Sequence, residues 1–296
     1  MQTQSRTQST ETGRLNIQPL TGAMGAEIDG IRLNDLNDET FAAIQNALYQ
    51  YGAIFFRDQD FTHEEQIAFA RRFGELEVHP IVNGLEAHPE IIKVLKPAGD
   101  SATFGTGWHS DNSFFERPSL GSVLYGVTIP PQGGDTLFAN QYLAYETLSD
   151  GLKQTLDGMI AIHTAGPAYT SETAKEKYAG KTPISYRWSD SVHAEVEHPV
   201  VRTHPATGRK ALYVNQMFTQ RFKGWSERES RPLLEYLFEH SCKPDFCCRF
   251  RWQPKSVAIW DNRCVQHYAL DDYQQYERLL YRVTITGEHP EPRSGE

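Results

Sequence analysis

Short apolar runs, separated by glycine, proline and polar turns, recur along this chain and constrain its fold more than any other feature. Runs of four to eight residues rich in β-branched and aromatic side chains are typical of strands, whereas helices need longer periodic segments. Such runs lie at residues 53–56, 91–95, 122–127, 159–163, 211–214, 246–252, 257–260 and 279–286. The sequence therefore predicts a β-rich fold of the α+β class.

Helices are predicted at two places beside these strands. An apolar stripe from Phe41 to Tyr51 is followed by Gly52, at the position where a glycine often ends a helix. Capping boxes at Thr62-x-x-Glu65 and Ser226-x-x-Glu229 open two further helices, of which the first is expected to run towards Gly74. We expect one antiparallel β-rich domain supported by helices at its N-terminal end and near residue 230.

The division of the chain follows from its polar segments. We expect a disordered N-terminus over residues 1–13, a single domain over 14–288 and a tail over 289–296. Residues 164–197 are polar and poorly periodic, which suggests an insertion that acts as a lid. The polar start does not resemble a signal peptide, and no apolar run reaches the ~20 residues of a membrane span. A cytoplasmic protein without a membrane partner is expected.

Charge and cysteine spacing exclude other classes of protein. The formal net charge of −9 argues against a nucleic-acid partner, because phosphate binding needs a basic face. The four cysteines lie in the last fifth of the chain and no pair has CxxC spacing, which argues against a disulfide framework or a structural zinc site.

A metal centre is suggested by one of several His-x-acid pairs. An oxygen-activating Fe(II) site needs two imidazoles and one carboxylate on one face of the metal. Histidines at 63, 88, 109, 193 and 289 all stand two residues before an acid. Only His109 follows a glycine-rich approach and precedes an aromatic-rich segment. If this segment is a strand, alternation places His109 and Asp111 on the same face.

The third ligand and two arginines lie near the C-terminus. His267 follows the apolar run 257–260 and a polar turn. Arg278 and Arg282 stand in an otherwise apolar strand, where charge costs energy unless an anion meets it. Their spacing is about 13 Å, which suits two different anions. A solvated edge strand with surface arginines remains an alternative at this point.

Together these segments resemble a known family. The matching pieces are Trp108–Asp111, Pro131–Thr136, His204–Lys210 and Trp260–His267, followed by Arg278 and Arg282. In order and spacing, residues from about 15 to 287 are similar to the taurine/2-oxoglutarate dioxygenases, a family of Fe(II) oxygenases. The resemblance implies a double-stranded β-helix (jelly-roll) core with flanking helices. It also implies homo-oligomers, either dimers or tetramers.

The resemblance further implies a role for particular residues. Iron would be held by His109, Asp111 and His267, the distal carboxylate of 2-oxoglutarate by Thr136 and Arg278, and the substrate by His79, Asn112, Phe218 and Arg282. The implied reaction uses O2 to decarboxylate 2-oxoglutarate oxidatively to succinate and CO2, and hydroxylates a substrate C–H bond. A carbon that bears sulfonate, sulfate or an ether oxygen then loses that group.

Two departures from the taurine enzymes bear on the substrate. The segment Pro80-Ile81-Val82 stands where a tyrosine is expected for taurine, and Gly105 stands where an amide side chain would help to bind an amine. We therefore predict a small organic anion with a hydrophobic body, such as an alkyl sulfate, a sulfonate or an aryloxyalkanoate. Two other classes remain open, a non-catalytic jelly-roll sensor of small acids and a zinc hydrolase with the same ligands.

Overall fold

The structure is a computed structural model that describes residues 15–100, 105–166, 168 and 193–291. The predicted disordered terminus over 1–13 lies outside the described residues. So do most of the predicted lid over 164–197 and the end of the tail over 289–296.

Five α-helices are found in the described ranges, and the three predicted ones are among them. They are α1 (Asp38–Tyr51), α2 (His63–Arg71), α3 (Gln141–Glu146), α4 (Asp150–Leu156) and α5 (Glu227–Ser241). Gly52 ends α1 with a φ of 72°, and both predicted capping boxes are present. Helix α2 ends at Arg71, before the predicted Gly74. The short helices α3 and α4 were not predicted, because six or seven residues show little periodicity.

Fifteen strands lie in the described parts of the chain. They are β1 (Asn16–Pro19), β2 (Ala26–Asp29), β3 (Ala53–Phe56), β4 (Ile91–Lys96), β5 (Ser119–Thr128), β6 (Thr136–Asn140), β7 (Ile160–His163), β8 (Val196–Pro199), β9 (Val201–Thr203), β10 (Lys210–Leu212), β11 (Thr219–Phe222), β12 (Cys247–Phe250), β13 (Val257–Asp261), β14 (Val265–Ala269) and β15 (Arg278–Thr286). Every predicted strand overlaps one of them. Those missed are three to five residues long and mostly polar.

The strands form four sheets. The largest has the order β1-β2-β3-β13-β5-β15-β4, and the others are β12-β6-β14, β11-β7-β8 and β10-β9. Among the described pairs only β2 with β3 is parallel. The prediction of an antiparallel, β-rich fold with few helices is confirmed.

Both faces of the largest sheet are buried, which explains why β3 is apolar throughout and β13 is apolar up to its last residue. In β3, Ile54 and Phe56 pack in the core beneath α1 and α2. Phe55 points to the opposite face, where its ring lies 4.1 Å from that of Phe250 and 5.4 Å from that of Phe138 in the β12-β6-β14 sheet. Two sheets therefore face each other across an aromatic core.

No helix within the described ranges is both long and apolar enough to cross a membrane.

Candidate metal centre

His109 and His267 are joined through their backbones. The His109 N–H donates to the His267 carbonyl at 3.2 Å, and the His267 N–H donates to the His109 carbonyl at 2.8 Å. This bridge attaches the segment before β5 to strand β14 and places the two imidazole centroids 4.2 Å apart. Two histidines far apart in sequence are thereby brought side by side.

Asp111 reaches these histidines through a turn, and not through the strand that the sequence suggested. The His109 bridge is isolated and residues 111–114 form a turn, so alternation along a strand does not explain the shared face. Asn112 has a φ of 55°, in the left-handed region that asparagine tolerates better than most residues. The convergence of the predicted residues is correct, but its cause is this turn.

The three side chains form a buried cluster with the donor set expected for Fe(II). The Oδ1 atom of Asp111 lies 3.7 Å from Nε2 of His109 and 3.8 Å from Nε2 of His267. One ligand atom from each residue falls within 4.8 Å of the other two. Two imidazoles and one carboxylate on one side of a common point could hold a divalent metal and leave its other positions open.

The proton on His109 is directed away from this point. Its Nδ1 lies 2.8 Å from the Gly107 carbonyl, which accepts a hydrogen bond and leaves the Nε2 lone pair facing Asp111. The Nδ1 of His267 is buried with no hydrogen-bond partner among the described residues. Burial, reinforced by His109, lowers the pKa of His267 to about 3, so its ring is neutral at neutral pH.

Asp111 is held as a carboxylate. Its Oδ2 accepts a hydrogen bond from Ser122 at 2.9 Å, and its Oδ1 accepts one from Arg282 at 3.0 Å. Burial opposes ionisation, but the charge of Arg282 and the two histidines hold the pKa of Asp111 well below its usual range. The backbone N–H of Asp111 donates to Asn262, which fixes the turn against β13.

Arg278 is buried and forms no ion pair with any described residue, although the charge of Asp135 acts on it. Its Nε and Nη2 atoms find no hydrogen-bond acceptor in the described parts of the chain. The guanidinium lies 5.6 Å from the ring centre of Trp252 and 5.7 Å from that of Tyr273, and the indole N–H of Trp252 donates to Thr136 at 2.9 Å. Because burying an unpaired charge is costly, this arrangement fits a site that receives a carboxylate.

A glycine gives Arg278 its room. Gly134 has a φ of 71°, and a Cβ atom there would lie 3.2 Å from Cδ and Nε of Arg278. The backbone N–H of Gly134 donates to Asp272 at 2.7 Å, which holds the turn in place. The glycine pair in the predicted Pro131–Thr136 motif therefore shapes the pocket around the guanidinium.

His79 presents a single N–H donor. Its Nδ1 accepts hydrogen bonds from the backbone N–H groups of Ile81 and Val82 at 3.1 and 3.0 Å, so its proton resides on Nε2. That N–H donates to Oδ1 of Asn112 at 3.2 Å. Burial, helped by the charge of Arg282, lowers the pKa of His79 to about 4. The ring is therefore a neutral donor at neutral pH.

Phe218 belongs to an apolar wall beside the two histidines. Its ring lies 6.2 Å from that of His109 and 4.8 Å from that of Phe114. Ile81 packs in the same cluster. Gly105 also borders the site, since a Cβ there would lie 3.6 Å from Cε1 of His109. Every site residue predicted from the sequence thus lies around the His-Asp-His cluster or around Arg278.

A second buried cluster, formed by His204, Asp261 and Cys264, already has internal partners. The Nε2–H of His204 donates to Asp261 at 3.0 Å, and its Nδ1 accepts from two backbone N–H groups. Arg263 donates to both carboxylate oxygens of Asp261 at 2.8 and 2.7 Å. This cluster is a saturated structural network rather than a metal site.

Several residues of the site carried no signal that sequence reasoning could use. They are Ser122, Asn262, Trp252, Tyr273 and Glu77, which lie in different strands and loops. No local spacing relates them to the ligands. Among them only Asn262 lies inside a motif that resembles the family, Trp260–His267. Its contact with Asp111 still depends on the fold.

Comparison with known proteins gives the family. The model of the family described as "Taurine catabolism dioxygenase TauD, TfdA family" matches residues 16–284. The chain belongs to this family. It is accordingly an α-ketoglutarate-dependent dioxygenase, and the sensor and zinc-hydrolase alternatives are set aside.

Individual relatives cover nearly the whole dioxygenase. An α-ketoglutarate-dependent sulfate ester dioxygenase from Pseudomonas putida is 38% identical over 93% of this chain and 91% of its own length. An alkylsulfatase from Acinetobacter baylyi is 36% identical over 94% of this chain and 86% of its own. The crystal structure of a taurine dioxygenase from Burkholderia xenovorans superposes with a TM-score of 0.80 at 37% identity, covering 95% and 92% of the two chains.

Buried neutral histidines predict acid sensitivity of the metal-free dioxygenase. Burial lowers the pKa of His79 and His198 to about 4, that of His267 to about 3 and that of His163 well below its usual value. Unfolded histidines titrate near 6.5. The contribution of these neutral histidines to the free energy of unfolding is therefore fully present above pH 6.5 and is lost as pH falls towards 4. Near pH 5 these four histidines together take up about four protons on unfolding, which contributes a slope of about 5 kcal/mol per pH unit.

Urea unfolding at pH 7, 6 and 5 measures this slope. His198→Gln removes one of the titrating rings and keeps a donor for the Phe115 carbonyl, so it should lower the slope by about a quarter. A free energy of unfolding that does not change between pH 7 and pH 5 would contradict the prediction.

Proposed function

We propose that His109, Asp111 and His267 hold Fe(II) and that the protein hydroxylates a C–H bond of a small organic anion. The observation that carries this proposal is the buried His-Asp-His cluster, whose Nε2 and Oδ1 atoms converge within 4.8 Å. Asp111 is held as a carboxylate, the Nδ1 of His109 is engaged by the Gly107 carbonyl, and the His267 ring is neutral, which suits metal ligation.

The co-substrate 2-oxoglutarate would be held by Arg278 and Thr136. Support comes from the buried guanidinium, whose Nε and Nη2 have no acceptor among the described residues, and from Trp252, which contacts both side chains. A distal carboxylate would pair with Arg278 and accept the Thr136 hydroxyl proton in a hydrogen bond. This arrangement leaves the keto acid end to the metal.

With O2, bound Fe(II) and 2-oxoglutarate supply the oxidising power for hydroxylation and yield succinate and CO2. The protein's own part is positioning and protection. Ser122 and Arg282 orient the Asp111 carboxylate, and Gly107 orients His109. The apolar wall that contains Phe218 keeps water from the reacting C–H bond and receives the substrate's hydrophobic body.

The substrate would be an alkyl sulfate, a sulfonate or an aryloxyalkanoate. Arg282 would offer charge to its anionic group. The Nε2–H of His79, which donates to Asn112 in this structure, would be shared between Asn112 and that group. Ile81, in the apolar cluster, favours an alkyl or aryl tail over an ammonium group. The names of two relatives, a sulfate ester dioxygenase and an alkylsulfatase, point the same way.

Three broader features belong to this proposal. The facing sheets would form a double-stranded β-helix within a single domain over residues 14–288, with 164–197 acting as a lid. The protein would work in the cytoplasm as a dimer or tetramer. With its net charge of −9 it would bind neither nucleic acid nor membranes.

A substrate panel scored by succinate formation tests the proposal. Hexyl sulfate, hexanesulfonate and phenoxyacetate should support turnover at least about tenfold faster than taurine, because the pocket offers an apolar wall and no partner for an ammonium group. Release of sulfate from hexyl sulfate should equal succinate formation mole for mole. Turnover of taurine alone, or of hexanol alone, would refute the substrate assignment.

A further inference from the structure

Glu77 is an acid beside the substrate corner to which the proposed mechanism gives no role. Its Oε1 accepts a hydrogen bond from Nδ2 of Asn112 at 2.7 Å, and its Oε2 accepts one from Ser119 at 3.2 Å. The same Nδ2 also donates to Ser119 at 3.0 Å. The carboxylate is therefore fixed by two donors from within the protein. As acceptors for the Asn112 amide, Glu77 and Ser119 orient Asn112 with its oxygen towards His79.

This network places Glu77 one hydrogen-bonded residue away from the proposed anion donor. Asn112 Oδ1 accepts from His79 at 3.2 Å, while its amide nitrogen is held by Glu77. Burial raises the pKa of Glu77 to about 7. The positive charge of Arg282 opposes this rise, and the negative charge of Asp111 adds to it. At pH 8 Glu77 is largely ionised, and it lies within electrostatic reach of Arg282.

The corner consequently tolerates only a limited negative charge. Arg282 already faces two carboxylates, Asp111 through a 3.0 Å hydrogen bond and Glu77 through space. His79 contributes a donor but no positive charge. The electrostatic repulsion from Glu77 is about twice as large for a headgroup with two negative charges as for a headgroup with one. Because the site is partly buried, this repulsion is stronger than it would be in water.

We propose that Glu77 is a specificity-determining residue that restricts the substrate headgroup to monoanions and rejects dianions. Sulfate esters, sulfonates and carboxylates satisfy this requirement, whereas phosphate monoesters, which have a similar shape and a second charge, do not. The inference rests on the proposed function, because it requires the substrate's anionic group to lie at His79 and Arg282.

Calorimetry of hexyl sulfate and hexyl phosphate binding tests this proposal, because the two headgroups have nearly the same shape but different charges. The measurement uses protein loaded with Mn(II) and 2-oxoglutarate, without oxygen, at pH 8. Wild type should bind the sulfate more tightly. Glu77→Gln removes the charge and keeps the size of the side chain, so the phosphate-to-sulfate ratio of dissociation constants should fall at least about tenfold. Glu77→Asp keeps the charge and should leave the ratio within about threefold of wild type.

Glu75→Gln is the matched control, since Glu75 is exposed and lies two residues away, and its ratio should equal that of wild type. Glu77→Ser is a second charge-removing variant in case the glutamine variant does not fold. An unchanged ratio in a folded charge-removing variant would overturn the inference. So would equal binding of both esters by wild type, or an effect of Glu77→Asp as large as that of Glu77→Gln. Absence of succinate formation with any anion would instead refute the proposed function itself.

Discussion

His109→Ala is expected to abolish the visible charge-transfer band that appears when 2-oxoglutarate is added anaerobically to the Fe(II)-loaded protein. The band requires the keto acid to chelate the iron, and the variant lacks one of the three proposed ligands. Changes outside the ligand shell already cost about 10–100-fold in metal affinity, so loss of a ligand should cost more. Succinate formation should fall by a factor on the order of a thousand or more. Absorbance before and after addition of 2-oxoglutarate measures the first effect.

His289→Ala is the control for this experiment. His289 also stands two residues before a glutamate and its side chain is exposed, so it matches the simple motif without contributing to the site. Its band and its turnover should equal those of wild type. A band that persists in His109→Ala, or that disappears in His289→Ala, would show that the cluster does not hold the iron.

Arg278→Leu is expected to weaken 2-oxoglutarate binding by about thirty- to four-thousandfold while Fe(II) binding persists. Truncating one partner of a buried charge pair costs about 2–5 kcal/mol, and each 1.4 kcal/mol is about tenfold. The same change should not lower the melting temperature of the metal-free protein, because the guanidinium is buried with its Nε and Nη2 unsatisfied among the described residues. The affinity for 2-oxoglutarate should therefore fall while the melting temperature does not.

Titration of the charge-transfer band with 2-oxoglutarate, together with thermal melts, measures both effects. Arg251→Leu is the matched control, since Arg251 immediately precedes Trp252 but its side chain is exposed. It should leave the affinity for 2-oxoglutarate within about twofold of wild type. Equal weakening in both variants would indicate general damage to this region rather than a direct contact with the co-substrate.

The sequence singled out the main residues of the candidate site because their chemistry is unusual for their position. Arg278 and Arg282 stand in an apolar strand, and both are buried in β15, so the edge-strand alternative is wrong. The turn around Asn112 could not be predicted, because its left-handed conformation depends on contacts with Glu77 and Ser119. A sequence pattern reveals residues that are costly to bury. Which side chains contact them depends on strand register, which the pattern does not contain.

The strands missed from the sequence illustrate the same limit. Strand β6 carries Thr136 and pairs with both β12 and β14, although its five residues have little apolar periodicity. Its position is set by partners that lie more than a hundred residues later in the chain. Tertiary pairing decides such segments, and local propensity contributes little.

The pairing of His109 with His267 also orders events during synthesis. Strands β13 and β15 insert between β3, β5 and β4, which leave the ribosome much earlier. The nascent chain therefore carries half-built sheets with open edges until its last segments emerge, and contacts of such long range form slowly. A premature stop before β13 would leave β3 and β5 unpaired along those edges, which favours aggregation. The proposed iron site is complete only after His267 has emerged.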